Sequence, residues 1–260
     1  MFIPEIHASL GSFLAVGLDE MDGIRLMNRV EMKYLFSVRK LPYLLDNLSG
    51  IYKVLEIDMI RVFPYHTTYL DTSGFLFYHQ QLTGKLARHK VRYRRYESTG
   101  VTFLEVKKRT NKNRTIKWRI ENNLNSNFPD ENAASFIQEY IPYDSPDLRP
   151  VLINGFTRIT LAGIELKERI TIDYDLTFSS PDGIKAELPF LAIAELKREG
   201  FSGQSPFSKI IKQNGIRSTG FSKYSIGNSL LRDMPRKNLL KPKLLLINKI
   251  ENEYNESYRT

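Results

Sequence analysis

Residues 88–95 read RHKVRYRR, which places Arg88, Lys90, Arg92 and Arg94 at alternate positions with His89, Val91, Tyr93 and Arg95 between them. Alternate residues of a β-strand share one face. Four cations then stand in a row, about 6 to 7 Å apart at roughly 3.3 Å rise per residue, and their repulsion needs something to offset it. The neighbouring segments repeat the theme. After a turn at Ser98 to Gly100, VTFLEVKKR puts Phe103, Glu105, Lys107 and Arg109 on one face. The polar turn TNKN then leads to RTIKWRI, where Ile116, Trp118 and Ile120 alternate with Lys117 and Arg119. Three strands joined by short polar turns predict an antiparallel meander, each strand carrying cations on one face.

The same period extends in both directions. Val30, Met32, Tyr34 and Phe36 alternate with Arg29, Glu31 and Lys33, which predicts a half-buried strand. A short helix is expected over SVRKLPYLLDNLSG, with Ser37 as cap and Pro42 breaking or bending it. HTTYLDTSGFLFYHQQLTG reads as a strand, a turn at Ser73 and Gly74, and an aromatic helical turn with Phe75, Phe77 and Tyr78. Downstream, PDENAASFIQEYI predicts a helix, and Pro142, Pro146 and Pro150 mark a rigid connector. NGFTRITL, KERITIDYDLTF and FLAIAELKRE resume the strand pattern, and SPFSKIIKQNGI has Ser205 as cap with Pro206 at the first helical position. STGFSKYSIGNSLL reads as a loop entering a last helix. Residues 1–24 read as an extension, 25–231 as the main domain, and 232–260 as a basic tail, either a peripheral helix or disordered.

The 260 residues suffice for one sizeable core, and no stretch approaches the 18 or so consecutive apolar residues of a membrane span. SLGSFLAVGL is too short to span and lacks the upstream basic segment of a signal peptide, so a cytoplasmic location is expected. With no cysteine, disulfides and Cys-ligated metals are excluded. The 38 Lys and Arg against 29 Asp and Glu give a formal charge of +9, which points to a polyanionic partner: nucleic acid, acidic membrane or phosphate compounds.

About seven or eight mostly antiparallel strands favour a barrel, which removes sheet edges. Charged faces turned outward would enclose an ordinary apolar core. Turned inward, they would line a channel whose apolar outer faces need helices over them. Solvated sheet faces are common, so the pattern alone favours the first arrangement, but alternation does not separate the two.

The charged faces nevertheless hold more cations than solubility requires. Arg92, Arg94, Lys107, Lys117, Arg119, Arg158, Arg169, Lys197 and Lys223 spread over successive strands and a loop, with Glu31, Glu105 and Glu195 among them. Arg offers planar two-pronged contacts to phosphate and Lys a point charge, while a carboxylate among them opposes phosphate unless it holds a bridging divalent metal. RVEMKYLF, TTYLDTSGFLFYHQQLTG, RHKVRYRRY, FLEVKKR, RTIKWR, TRIT, ERITID, AELK and GFSKYSIG stand here in the order of the VTC polyphosphate polymerase domain. Over roughly residues 28–230 the chain resembles that family, a branch of the triphosphate tunnel metalloenzymes of the CYTH-like superfamily.

The resemblance implies an α+β, mainly β fold: a closed, eight-stranded antiparallel tunnel with a basic lumen and outer helices. This reverses the preference from pattern alone. It implies transfer of the γ-phosphate of ATP to a growing polyphosphate chain with Mn²⁺ or Mg²⁺. Lys33, Arg92, Arg94, Lys107, Lys117, Arg158, Lys197 and Lys223 become phosphate ligands, with Ser222 beside them and Glu195 as metal ligand. Lys33, Arg92, Arg94, Lys107, Arg158 and Glu195 are the expected catalytic set. Arg29, Arg119 and Arg169 join the expected substrate ligands, as does Lys90, which with Arg88 is placed near the tunnel mouth. The tunnel hydrolases open with Glu-x-Glu-x-Lys, whereas here the spacing gives Arg29, Glu31, Lys33, a departure that favours one strongly held metal over two.

Each feature has a plainer reading. Arg92 and Arg94 fit a solvated face paired to Glu105, and Glu195 fits a salt bridge to Lys197 or Arg169. Glu31 and Glu105 are candidate neighbours or bases. Trp118 and the 75–78 aromatics are expected to pack under helices, so no nucleic acid is expected as partner. His7, His66, His79 and His89 show no metal or nucleophile spacing. Two alternatives remain beside the polymerase: a triphosphatase of the same fold acting on inorganic or nucleoside triphosphates, and a non-catalytic polyphosphate-binding module.

Overall fold

The computed structural model describes residues 3–22, 29–112, 114–124, 128–142, 148–200 and 205–256. In chain order they form α1 (Ile3–Gly11), β1 (Ala15–Val16), α2 (Leu18–Asp22), β2 (Arg29–Ser37), α3 (Leu41–Asp46), β3 (Lys53–Leu55), β4 (Phe63–Asp71), α4 (Leu76–Leu82) and β5 (Arg88–Tyr96). There follow β6 (Thr102–Arg109), β7 (Thr115–Glu121), α5 (Glu131–Tyr140), β8 (Arg149–Gly163), β9 (Glu168–Ser179), β10 (Lys185–Leu188), β11 (Leu191–Glu199), α6 (Pro206–Gln213), α7 (Lys223–Leu231) and α8 (Lys241–Glu256).

The predicted meander is present, with β5 antiparallel to β6 and β6 to β7. The main hydrogen-bonded path runs β2-β11-β9-β8-β4-β5-β6-β7 and every step is antiparallel. The path ends at β2 and β7, and among the described residues no backbone pairing joins those two strands. The expected closed barrel is therefore corrected to a curved sheet with a seam. At that seam β7 turns Lys117 and Arg119 to the same face as Lys107 and Glu105, and charged side chains on an edge strand oppose further pairing.

The outer face buries the apolar half of each alternation. Tyr34, Phe36, Ile159, Ile170, Ile172 and Leu196 pack with Ile6 and Leu10 of α1, Leu41, Leu44 and Leu45 of α3, and Phe207 and Ile211 of α6. Val91, Tyr93, Leu104 and Val106 pack with Phe77, Ala133 and Ile137, and Trp118 stacks on Tyr140 of α5 at 4.3 Å. Trp118 and Phe77 are thus packing residues, as expected. The N-terminal stretch joins this core through Ile6, Leu10 and Phe13.

Three local expectations are corrected. Ser37 makes no side-chain cap, and Pro42 lies in the first turn of α3, where its missing N–H costs nothing, so it starts the helix rather than breaking it. Of the proline connector, Pro146 lies outside the described residues and Pro150 belongs to β8. Finally, α7 is not the last helix: α8 follows, buries Ile247 and Ile250, and resolves the tail in favour of a peripheral helix.

Candidate phosphate-binding site

Strand register turns the cationic residues to one face. Lys33 pairs with Glu195, Glu31 with Lys197, Lys197 with Arg169, Arg158 with Asp173, Arg92 with Glu105, Lys90 with Lys107, and Lys107 with Lys117. This is the face opposite the helix-covered core, and curvature makes it concave. Charges on distant strands consequently sense one another. Lys90 on β5 is influenced by Lys33 on β2, and Glu31 on β2 by Lys107 and Lys117 on β6 and β7.

One end of the concavity is apolar. There Leu35, Leu152, Leu176, Phe178 and Ile193 pack against α7. A Cβ on Gly227 would stand 2.6 Å from Phe178 and 2.8 Å from Leu152, so the absence of a side chain lets α7 lie this deep. Tyr224 of α7 donates its hydroxyl to Asp71, which also accepts the backbone N–H groups of Thr72 at 2.8 Å, Phe77 at 2.9 Å and Tyr78 at 3.0 Å. The anchored helix presents its N-terminus to the polar part. Ser222 caps it by accepting the N–H of Ser225 and takes a hydrogen bond from Lys90 Nζ at 3.1 Å, while Lys223 reaches Asp173.

Three carboxylates organise the cations. Glu105 Oε2 accepts from Arg92 Nε and Nη2 at 2.6 Å, with Arg94 Nη1 at 4.0 Å. Asp173 takes a two-pronged contact from Arg158, Nε to Oδ1 at 2.6 Å and Nη2 to Oδ2 at 2.8 Å, and its Oδ2 also accepts from Lys223. Glu195 bridges Lys197 at 2.9 Å and Lys33 at 3.4 Å.

Burial pushes all three carboxyl groups up, but the adjacent cations outweigh it: Arg92 and Arg94 at Glu105, Arg158 and Lys223 at Asp173, Lys197 and Lys33 at Glu195. All three stay ionised. Burial pushes lysines the other way. Lys107 and Lys223 fall to about 8, Lys107 through burial against the help of Glu31, Lys223 through burial against the help of Asp173. Lys90 falls well below its usual range through burial and then its neighbours Lys107, Lys33 and Arg92.

Some donors are left over. Arg94 Nε is buried with no hydrogen-bond partner among the described residues, and Thr67 Oγ1, on the strand position paired with Arg94, is in the same state. Buried polar groups are seldom left unpaired without a role.

The structure thus brings together Lys33, Lys90, Arg92, Arg94, Lys107, Arg158, Lys197, Ser222, Lys223 and Glu195. Arg169 shares their face beside Lys197. Lys117 and Arg119 share it too but are exposed on β7, with the Arg119 guanidinium 4.7 Å from the Phe103 ring centre. Arg29 begins β2, and its side chain lies outside the described residues. Sequence reading missed Asp173 and Asp71. In ERITIDYD, Arg169, Thr171 and Asp173 fall on one strand face, so the parity that selected Arg169 also pointed to Asp173. Asp71 had no such signal.

A family model described as the VTC domain matches residues 28–232. The chain belongs to the VTC domain family. Comparison with curated proteins gives no match. Among solved structures, this VTC-domain chain is similar to HpAC1 from Hippeastrum, described as having a dominant triphosphatase activity, at 14% identity, covering 80% of this chain and 98% of that one with a TM-score of 0.48. A Vibrio parahaemolyticus protein described as a candidate adenylate cyclase aligns at 14% identity over 76% and 97% of the two chains, TM-score 0.45. The PH1819 protein of Pyrococcus horikoshii aligns at 11% over 76% and 97%, TM-score 0.41.

No helix among the described residues is long and apolar enough to cross a membrane.

Proposed function

We propose that this VTC-domain chain is a polyphosphate polymerase, transferring the γ-phosphate of ATP to the end of an inorganic polyphosphate chain. The observation that carries this reading is the concave face on which Arg92, Arg94, Arg158, Lys33, Lys197 and Lys223 converge on three ionised carboxylates, while Arg94 keeps an unused buried donor. Cations held in place by carboxylates need little reorganisation when phosphate oxygens arrive. The row on β5 from Arg88 to Arg94 spans about 20 Å at roughly 3.3 Å per residue, well beyond a triphosphate, which favours a chain-shaped substrate.

A terminal phosphate oxygen of the acceptor attacks the γ-phosphorus of ATP, a new P–O–P bond forms, the bond to the β-phosphate bridging oxygen breaks, and ADP leaves with that electron pair. The chain's own residues bind and align: Arg92, Arg94 and Arg158 hold equatorial oxygens, and Lys33, Lys107, Lys197 and Lys223 balance charge along the donor and acceptor.

A divalent ion is implied by the family resemblance. Among the described residues no cluster of three or more His, Cys, Asp or Glu is placed to hold one. Mg²⁺-type ions are commonly bound through one or two carboxylates plus substrate phosphates, so Glu195, close enough to Glu31 for its charge to oppose ionisation of that carboxyl group, fits that role for Mn²⁺ or Mg²⁺. Such an ion would supply charge neutralisation at the phosphates. Incubation of the purified protein with ATP and Mn²⁺ or Mg²⁺ is expected to give a ladder of lengthening phosphate chains. Orthophosphate alone would establish the triphosphatase instead, with water in the acceptor's place, and no turnover with any metal would leave a binding module.

A further inference from the structure

Beside the ion-paired cluster lies a cavity of about 670 Å³ whose lining includes Lys33, Lys90 and Lys107 but not Arg92, Arg158 or Glu195. Its remaining charged lining comprises Arg88, Arg109, Lys243 and one carboxylate, Glu31. On this side the strand register opposes like charges: Arg88 faces Arg109, and Lys90 faces Lys107. Like charges directly opposite each other destabilise a sheet.

Three of the cavity's cations, Arg88, Lys90 and Lys243, donate to neutral acceptors where the ion-paired cluster used carboxylates. Arg88 Nη1 donates to the Lys85 carbonyl at 2.9 Å, Lys90 to Ser222 Oγ at 3.1 Å, and Lys243 to Thr219 Oγ1. Such acceptors fix position without cancelling charge. Lys243 comes from α8, beyond residues 28–232 that match the VTC domain, so the C-terminal helix adds a cation to this cavity from outside the matched residues.

We propose that Arg88, Arg109 and Lys243 form an outer subsite for the distal phosphates of a linear polyphosphate, with α8 as a working part of the site. The inference rests on the polyphosphate reading above. The geometry explains it physically: Arg92 and Arg158 are held by Glu105 and Asp173 even when the site is empty, whereas Arg88 and Arg109, set directly opposite each other on β5 and β6, gain most when a polyanion lies between them.

The test measures binding of two probes, inorganic triphosphate and long-chain inorganic polyphosphate, to the full chain and to Arg88→Ala, Arg109→Ala and Lys243→Ala, singly and combined. Each lost cation–phosphate contact is expected to weaken long-chain binding about tenfold, with triphosphate binding changed by no more than about twofold. Lys243→Arg should restore the long-chain affinity lost in Lys243→Ala. Equal losses for both probes, or no loss for the long chain, overturn the outer subsite. Should the combined variant fail to fold, Lys243→Ala and its Arg counterpart carry the same decision. If the wild-type chain binds long polyphosphate through these residues but does not elongate it with ATP, the polymerase reading fails and the subsite stands. If elongation proceeds and all variants bind like wild type, the subsite alone fails.

Discussion

Replacing Asp173 by Asn keeps the shape of the side chain and removes the charge that holds Arg158 and Lys223 together. The Asp173 side chain is 5% exposed, and those of Arg158 and Lys223 are 18% and 13% exposed, so the two cations would be left facing each other with little water to screen them. Removing one member of a buried ion pair costs about 3 to 5 kcal/mol, and the residual access of water to the concave face argues for the lower end, about 3 kcal/mol. For a chain of this size each kcal/mol lowers Tm by about 2 to 4 °C, giving a fall of about 6 to 12 °C. An anion can take the place of the lost carboxylate. Saturating triphosphate should therefore raise the Tm of Asp173→Asn by more than it raises that of wild type. Thermal unfolding of both proteins with and without triphosphate measures the two quantities. An unchanged Tm, or a triphosphate shift no larger than the wild-type shift, would refute the assignment of Asp173 as the internal counterion of this site.

Other expectations follow from the same geometry. Lys107 and Lys223 have folded pKa values near 8, below the usual lysine value, so both lose their protons in the folded state as pH rises through 8. Triphosphate affinity should fall across that range, and Lys107→Arg, which keeps its charge, should make the fall shallower in a binding titration. The unliganded protein should move the opposite way. The unfolded chain holds these protons up to about pH 10.4, so the contribution of these two lysines to stability is unfavourable below pH 8 and eases between the two values, measurable by denaturant titration. Glu195→Gln should abolish metal-stimulated turnover while triphosphate binding without metal persists, since Lys33 and Lys197 remain; metal-stimulated turnover in that variant would remove Glu195 as the metal ligand. Gly227→Ala gains at most about 1 kcal/mol of helix propensity but pushes a methyl into buried Phe178 and Leu152, an overpacking that costs about 1 to 3 kcal/mol. Its Tm should fall, as a calorimetric scan would show.

Much of the fold was legible because its signals are local. Period-two alternation in RHKVRYRR, FLEVKKR and TIKWRIE needs only neighbouring residues to mark a strand and its two faces, and the observed β5, β6 and β7 follow it. Capping signals are equally local: Ser205 caps α6 as expected. Where the chain's own neighbours were insufficient, the reading failed. Pro42 suits a first turn as well as a break, and which applies depends on where the preceding strand ends. The tail could not be assigned because α8 acquires its buried face only from Ile247 and Ile250 meeting a surface built by distant strands and α7.

The amino-acid order alone set which residues share a strand face, and so that Arg92, Arg94, Lys107 and Glu105 would stand together. Whether that face turned toward solvent or toward its counterparts was decided only by tertiary structure, because alternation is symmetric between the two sides and curvature is a property of the assembled sheet. The pairing of Asp173 with Arg158 and Lys223, the burial of α7 against Gly227's neighbours, and the seam between β2 and β7 have the same origin. Each depends on distances between segments far apart in the chain, which no local pattern encodes.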